Sequence, residues 1–466
     1  MLRPASSLLP TLILAWTMSA PASEPLMDRL DQIRARHGVA AVALTLVDAE
    51  GTRYLGARGV ADRASGRPMT PDTPVRIGSI TKTFNGLLFL ILDGAGRLSL
   101  DAPLHEVAPA APLANPWEAG RPVRIVHLLE HTAGLADLTK EEFDHNTPFP
   151  SLAAALGYRP EARRALWPPG MHHSYSNAGA GLATFAAEAV VGEPYEALMT
   201  RLVLRPLGMT EAGLGSGAQT QPELATGYDS DGTTPIPYWH MIFPAMGAID
   251  STPREMAALP RLLLGRGAIE GRRLLPESAI DRMETPATTL AAEAGRRFGY
   301  GLGLDSYADQ GLVWHGHGGD GDGYLSHFAY QRELGLGYFV TFNAFNRRAL
   351  GEMQGVIRAH LSEGQARPPG AVPADLGVAE LDALAGGYEP ATLRFAHAGT
   401  GAAREIRRDG AGLRVSGGDG DSVRLIPVTR CLFRRPEEPV ATSAFVSYEG
   451  ALYWQGEDGS YRRVGQ

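Results

Sequence analysis

The chain holds a single cysteine, Cys431, in 466 residues. No intramolecular disulfide can form, a cysteine-based zinc site is excluded, and no cysteine stands near the N-terminus to carry a lipid. Cys431 lies in a strand-like segment, where a lone thiol serves as a small apolar filler. Basic runs are missing as well. The formal net charge is −8 with both signs interspersed, which argues against nucleic-acid binding and reads as solubility. After the N-terminal segment, no apolar stretch is long enough to cross a bilayer. The aspartates near residue 320 have neither a nonapeptide repeat nor a twelve-residue helix-loop-helix context, so calcium is a poor fit.

What is present begins with an export pattern. Arg3 supplies a charge, Leu8 to Trp16 is mostly apolar despite Pro10, and Ala20-Pro21-Ala22 offers a small-residue cleavage region. Residues 1–23 are expected to be a signal peptide, giving a periplasmic or secreted protein without a membrane span; an uncleaved anchor is the competing reading. The chain is 44% hydrophobic and long enough for a large core and more than one domain.

Val39 to Val47 and Thr52 to Val60 flank the turn Asp48-Ala49-Glu50-Gly51 and read as a hairpin. A Gly- and Pro-punctuated stretch then leads to Arg76-Ile77-Gly78-Ser79-Ile80-Thr81-Lys82-Thr83-Phe84. Ile80, Phe84, Leu87, Leu88 and Ile91 recur at helical spacing until Gly94 and Gly96 stop the run. Ser79 and Lys82 are three residues apart, hence on one helix face. A serine hydroxyl needs a base to become a nucleophile, and a desolvated lysine can serve. The plain alternative is a helix cap with a solvated lysine, so the motif needs partners.

Two later stretches offer them. Trp167 to Asn177 ends in Tyr175-Ser176-Asn177, in a loop just ahead of a buried helix that Gly192 stops; His172-His173 reads as solvated loop. Val313 to Tyr324 leaves a short strand and is crowded with glycine, which lets backbone approach a ligand closely. Leu325–Tyr330 and Gly337–Asn343 follow as antiparallel core strands, then a helix over Leu350–Leu361. His127-Leu128-Leu129-Glu130-His131 matches an inverted zinc-peptidase pattern. It sits on a short helix ended by Thr-Ala-Gly with no third-ligand motif, so His131 is expected to bond backbone near the Ser79 helix, and no metal is expected. The irregular Gly213–Pro244 segment is a natural cleft wall or a plain surface loop.

Residues 362–375, with Pro368-Pro369-Gly370, read as a linker. Beyond them, short alternating runs (Leu413 to Val415, Val423 to Val428, Ala444 to Tyr448, Ala451 to Trp454) between Gly/Asp turns predict a small all-β domain, barrel or sandwich, over 376–466.

Together these stretches resemble the serine β-lactamase and penicillin-binding-protein superfamily, more closely its class C β-lactamase-related group of esterases, D-aminopeptidases and DD-peptidases. The resemblance covers residues 28–361. It rests on Ser79-Ile80-Thr81-Lys82, Leu128 to Leu135, Pro169-Gly170 through Tyr175-Ser176-Asn177, Pro206 to Met209, Tyr300-Gly301-Leu302-Gly303 and His317-Gly318-Gly319. It implies an α+β fold over 24–361, an antiparallel sheet flanked by helices plus an all-helical lobe with the site between. It also implies Ser79 as the acylated nucleophile, Lys82 as its proton partner and Tyr175 as an acid/base. Asn177 would hold Lys82 or the substrate amide, and His317-Gly318-Gly319 would be the strand motif lining the pocket. The backbone N–H groups of Ser79 and Asp320 would form the oxyanion hole. No cofactor is implied.

To work near neutral pH, Lys82 and Tyr175 are both expected to titrate below their ordinary values. One departure matters. Lactamases and transpeptidases usually carry Lys-Thr-Gly or Lys-Ser-Gly where this chain has His-Gly-Gly, so a fixed charge for a substrate carboxylate is replaced by an imidazole. The expectation is therefore a hydrolase of small esters, or of amides and peptides of D-residues. A β-lactamase or DD-carboxypeptidase is the alternative, and a non-catalytic cell-wall peptide-binding protein the further one.

Overall fold

The computed structural model describes residues 23–214, 223–395, 401–417, 422–457 and 459–465. The expected signal peptide lies outside the described residues except for Ser23, as do part of the Gly213–Pro244 segment and the turn residues Gly418 to Gly420 and Asp458.

Seven antiparallel strands form the central sheet, in the order Arg67–Pro68, Thr52–Asp62, Ala41–Asp48, Leu336–Phe342, Tyr324–Gln331, Leu312–Gly321 and Asp305–Asp309. Alternation decides what each face buries. Val42, Leu44 and Leu46 join Leu325, Tyr338 and Val340 in a core covered by helices Glu24–Arg36 and Arg347–Leu361. Ala41, Ala43, Phe328 and Phe339 face the opposite way, onto the Ala258–Leu264 helix and the larger core. The described elements between Leu104 and Leu204 are all helical and form the second lobe.

At one informative place the sheet follows the family resemblance, which puts His317-Gly318-Gly319 on a strand, and not the loop that the glycine content suggests. The strand Leu312–Gly321 does not end before the glycines but runs through them, with His317 paired to Phe328 and Asp320 to Leu325. The reason is contact: a Cβ on Gly319 would overlap the Ile77 carbonyl oxygen, so only a bare backbone lets this strand press on the start of the Ser79 helix.

The C-terminal strands close into an eight-stranded antiparallel barrel, from Gly386–Pro390 to Gly459–Val464, around Tyr388, Ile406, Phe433, Phe445 and Trp454. Gln455 docks it. This buried amide donates to the Met171 carbonyl oxygen (2.8 Å) and to His172 Nδ1 (2.9 Å), while its oxygen accepts from the Ala291 N–H (2.8 Å). His172 is therefore not part of a solvated loop. It is buried between the two lobes and the barrel, with Nδ1 also 2.8 Å from Ser460 Oγ. His173 is half-buried, its ring 5.5 Å from that of Tyr300.

Candidate active site

The chain enters the site through a single 3₁₀ turn, Gly78–Ile80, which continues directly into the Thr81–Gly94 helix. Gly78 has φ +57°, and a Cβ there would lie 2.7 Å from the Asp320 nitrogen. Bare glycine on both sides thus brings the backbone of Gly78-Ser79 against that of Gly319-Asp320. Ser79 Oγ emerges at this junction. Lys82, one turn on, places Nζ 3.1 Å from Ser79 Oγ, 2.7 Å from Asn177 Oδ1 and 2.6 Å from the Met246 carbonyl oxygen.

Tyr175 comes from the loop before the Asn177–Val191 helix. His131 holds that loop: its Nδ1 accepts from the Ser176 N–H at 3.2 Å, and its carbonyl accepts from the Ser174 N–H at 2.8 Å. His131 itself sits at φ +58°, a left-handed position uncommon for a side chain of its size. Its ring lies under Tyr175 at 4.1 Å between centroids, and Lys82 Nζ lies 4.9 Å from the Tyr175 ring centre. The rest of the His-x-x-Glu-His stretch is committed elsewhere. Glu130 accepts from the Thr288 N–H (3.0 Å) and hydroxyl (2.6 Å) and pairs with Arg282 at 2.6 Å, while His127 Nδ1 takes the Arg124 N–H.

On the strand side, His317 Nδ1 donates to the Gly318 carbonyl oxygen at 2.5 Å, and Nε2 takes the Tyr300 hydroxyl at 2.8 Å. Burial pushes the His317 imidazole down to about 3, and Lys82 adds to the effect, so the ring is neutral. The Asp320 carboxylate faces away to Arg347, at 2.5 Å. Ser79, Lys82, Tyr175, Asn177, His317, Gly318, Gly319 and Asp320 all meet in this one cleft.

Burial moves Lys82 and Tyr175 in opposite directions. Desolvation brings the Lys82 ammonium down to about 7, partly opposed by Asp137 and aided by Arg394. The same loss of water raises the Tyr175 phenol well above its ordinary value, against a smaller effect of its hydrogen bond with Ser79. The expectation that both would fall is corrected for Tyr175. Desolvation always favours the uncharged form, which is the amine for lysine and the phenol for tyrosine.

Three contributors carried no sequence signal that motif reading could use. The Met246 carbonyl is a backbone group, positioned by a 3₁₀ turn and by Asn85 Nδ2, which bonds the Ala245 carbonyl at 2.9 Å. Asp137 is buried and receives the Asn177 N–H at 2.8 Å. Arg394 arrives from the barrel, its guanidinium 4.8 Å from the Tyr175 ring centre.

A serine hydroxyl beside a buried, easily deprotonated amine, between a helical lobe and an antiparallel sheet, marks a serine hydrolase of the β-lactamase and penicillin-binding-protein type. The chain belongs to the Beta-lactamase family, whose profile matches residues 26–361. It is 27% identical to penicillin-binding protein 4 of Amycolatopsis lactamdurans over 389 residues, 78% of this chain and 96% of that protein. It is 33% identical to esterase EstB of Burkholderia gladioli over 234 residues, 46% of this chain and 56% of that protein. The fold is that of the octameric penicillin-binding protein homologue from Pyrococcus abyssi, with a TM-score of 0.63 at 21% identity over 94% of this chain and 99% of that one. That coverage extends beyond residue 361 into the barrel.

Proposed function

We propose that the protein is an exported serine hydrolase that cleaves small esters, or amides and peptides of D-residues, through an acyl-enzyme on Ser79. The observation that carries this reading is Lys82 Nζ, 3.1 Å from Ser79 Oγ and brought down to about 7 by burial. Near neutral pH a large share of the site then holds a free amine. Lys82 accepts the Ser79 proton as Oγ attacks the substrate carbonyl carbon, and the Ser79 and Asp320 N–H groups hold the oxyanion. Tyr175, still a phenol, donates its proton to the leaving atom and recovers one from Lys82. Water then repeats the sequence on the acyl-enzyme.

The neutral His317 supports the ester and D-residue branch over β-lactams, because the strand offers no fixed charge to a lactam carboxylate. The esterase name of the Burkholderia relative points the same way. Export rests on the N-terminal pattern of residues 1–23.

The test is a panel of p-nitrophenyl esters, D-amino-acid amides, D-Ala-D-Ala peptides and penicillins, read as kcat/KM. Esters and D-residue amides, which carry no carboxylate there, are expected to exceed penicillins by about tenfold or more, the scale of one lost charge contact. Penicillin turnover at or above the ester rate would move the protein to the lactamase branch.

A further inference from the structure

The cleft has lost one cation and gained another. The strand position that carries lysine in transpeptidases holds His317, with both ring nitrogens committed to Tyr300 and Gly318. The chain has only two lysines: Lys82 is buried beside Ser79, and Lys140 pairs with Asp144 on the surface. A fixed positive charge in this cleft must come from arginine. Arg347 is occupied by the Asp320 carboxylate at 2.5 Å. Arg394 remains.

Arg394 belongs to the segment that leaves the first barrel strand, Gly386–Pro390. Two contacts fasten that segment to the helical lobe. The Asp137 N–H donates to the Arg394 carbonyl at 2.6 Å, and the Phe395 ring stands 6.2 Å from Phe143. Arg394 Nε and Nη2 each lie 3.3 Å from Asp137 Oδ2. Asp137 is fully buried and also holds the Leu138 N–H, the Asn177 N–H and Asn177 Nδ2, so it orients the guanidinium from behind. The Arg394 side chain is 53% exposed, and among the described residues Nη1 has no partner. Its Cζ lies 4.8 Å from the Tyr175 ring centre and 4.9 Å from that of Phe395.

We infer that Arg394 determines specificity by taking a carboxylate carried on the leaving group of the substrate. The inference rests on the acyl-transfer reading above and names the substrate that site selects. Tyr175 is the group that hands a proton to the leaving atom, so a guanidinium 4.8 Å from its ring centre stands on the leaving-group side. Guanidinium stays charged at every working pH and binds carboxylate through paired N–H donors. Leaving groups whose carboxylate reaches the helical-lobe side fit this arrangement, as in esters of hydroxy acids and some peptides ending in a free carboxylate. A carboxylate directed at the strand, as a lactam's is, meets the neutral His317 instead. The barrel is then part of the active site, because it supplies the guanidinium whose Nη1 is left unpartnered among the described residues.

The experiment compares a phenyl ester with the 3-carboxyphenyl ester of the same acyl group, in the wild type, Arg394→Gln and Arg394→Lys. The readout is the second-order rate of Ser79 acylation by mass spectrometry, corrected for the uncatalysed rates of the two esters. The wild type is expected to favour the carboxylated ester about tenfold or more. Arg394→Gln should bring that ratio close to one, and Arg394→Lys should keep part of it. A wild type without preference, a ratio unchanged in Arg394→Gln, or equal losses on both esters would overturn the inference. Fluorophosphonate labelling of Ser79 separates the two levels. Labelling without carboxylate preference defeats only the role of Arg394, whereas an unlabelled wild-type Ser79 defeats the acyl-transfer reading and the inference with it. If Arg394→Gln itself loses labelling, Arg394→Lys carries the test, and loss of preference with the charge retained overturns the inference.

Discussion

Lys82 reaches Ser79 from three positions away along one helix, whereas Arg394 reaches Asp137 across 257 positions and from a different domain. These two walls of the cleft are built in opposite ways, and the difference governs how each should fail. The helix wall depends on local geometry and on burial, which the core behind Ile80, Phe84 and Leu88 guarantees. The barrel wall depends on docking through Gln455 and on the Asp137–Arg394 contacts, and can be weakened without touching the nucleophile. On the proposed function chemistry lies in the first wall and, on our inference, selectivity in the second.

The largest expected effect is on the helix wall. Lys82→Ala should slow Ser79 acylation by about 10³–10⁴-fold on carboxylated and neutral esters alike, followed by stopped-flow mass spectrometry, because no other described base stands at Ser79 Oγ. A loss confined to one substrate class would erase the distinction between the walls. Tyr175→Phe should cost about 10²-fold on alkyl esters and amides, whose leaving atoms need a proton, and clearly less on p-nitrophenyl esters, whose leaving group departs as a stable anion. Equal losses would mean that Tyr175 acts on the attack step.

Smaller effects belong to the barrel. Gln455→Leu leaves the Ala291 N–H without its acceptor, removes one of the two donors at the Met171 carbonyl, and should cost about 1–3 kcal/mol in urea unfolding. Fluorophosphonate labelling of Ser79 should persist in the folded variant, and the preference for a carboxylated ester should fall. The smallest shift is in pH dependence. Below about 7 Lys82 is an ammonium and cannot accept the Ser79 proton, so the acylation rate should rise with pH and level off above that value. Arg394 lowers Lys82, so Arg394→Gln should displace this limb to higher pH, as measured from full pH–rate profiles of the neutral ester.

The same contrast explains what could be read in advance. The antiparallel sheet with helices and the all-β C-terminal unit were legible, because strand alternation and Gly/Asp turns are local. The stretches holding Ser79, Tyr175 and His317 were legible as motifs, since each is a few residues long and they meet wherever the fold brings them. The strand Leu312–Gly321 is visible through its family motif but not through propensity, since glycine ordinarily marks a loop; here it marks the approach of Gly319 to Ile77. His172 was misplaced on the surface because its partners, Gln455 and Ser460, lie almost three hundred positions on. The rise of the Tyr175 pKa was missed for a different reason. Proximity to Lys82 follows from the motifs, but the burial that outweighs it is a property of the packed fold.

The central claim is that Ser79 carries the acyl group. Its most direct measurement is intact and peptide-level mass spectrometry during turnover of a short p-nitrophenyl ester. The wild type should gain the mass of one acyl group on the peptide containing Ser79, and Ser79→Ala should show neither that adduct nor turnover above background. A Ser79→Ala protein that still hydrolyses the ester and still reacts with a fluorophosphonate would contradict the account.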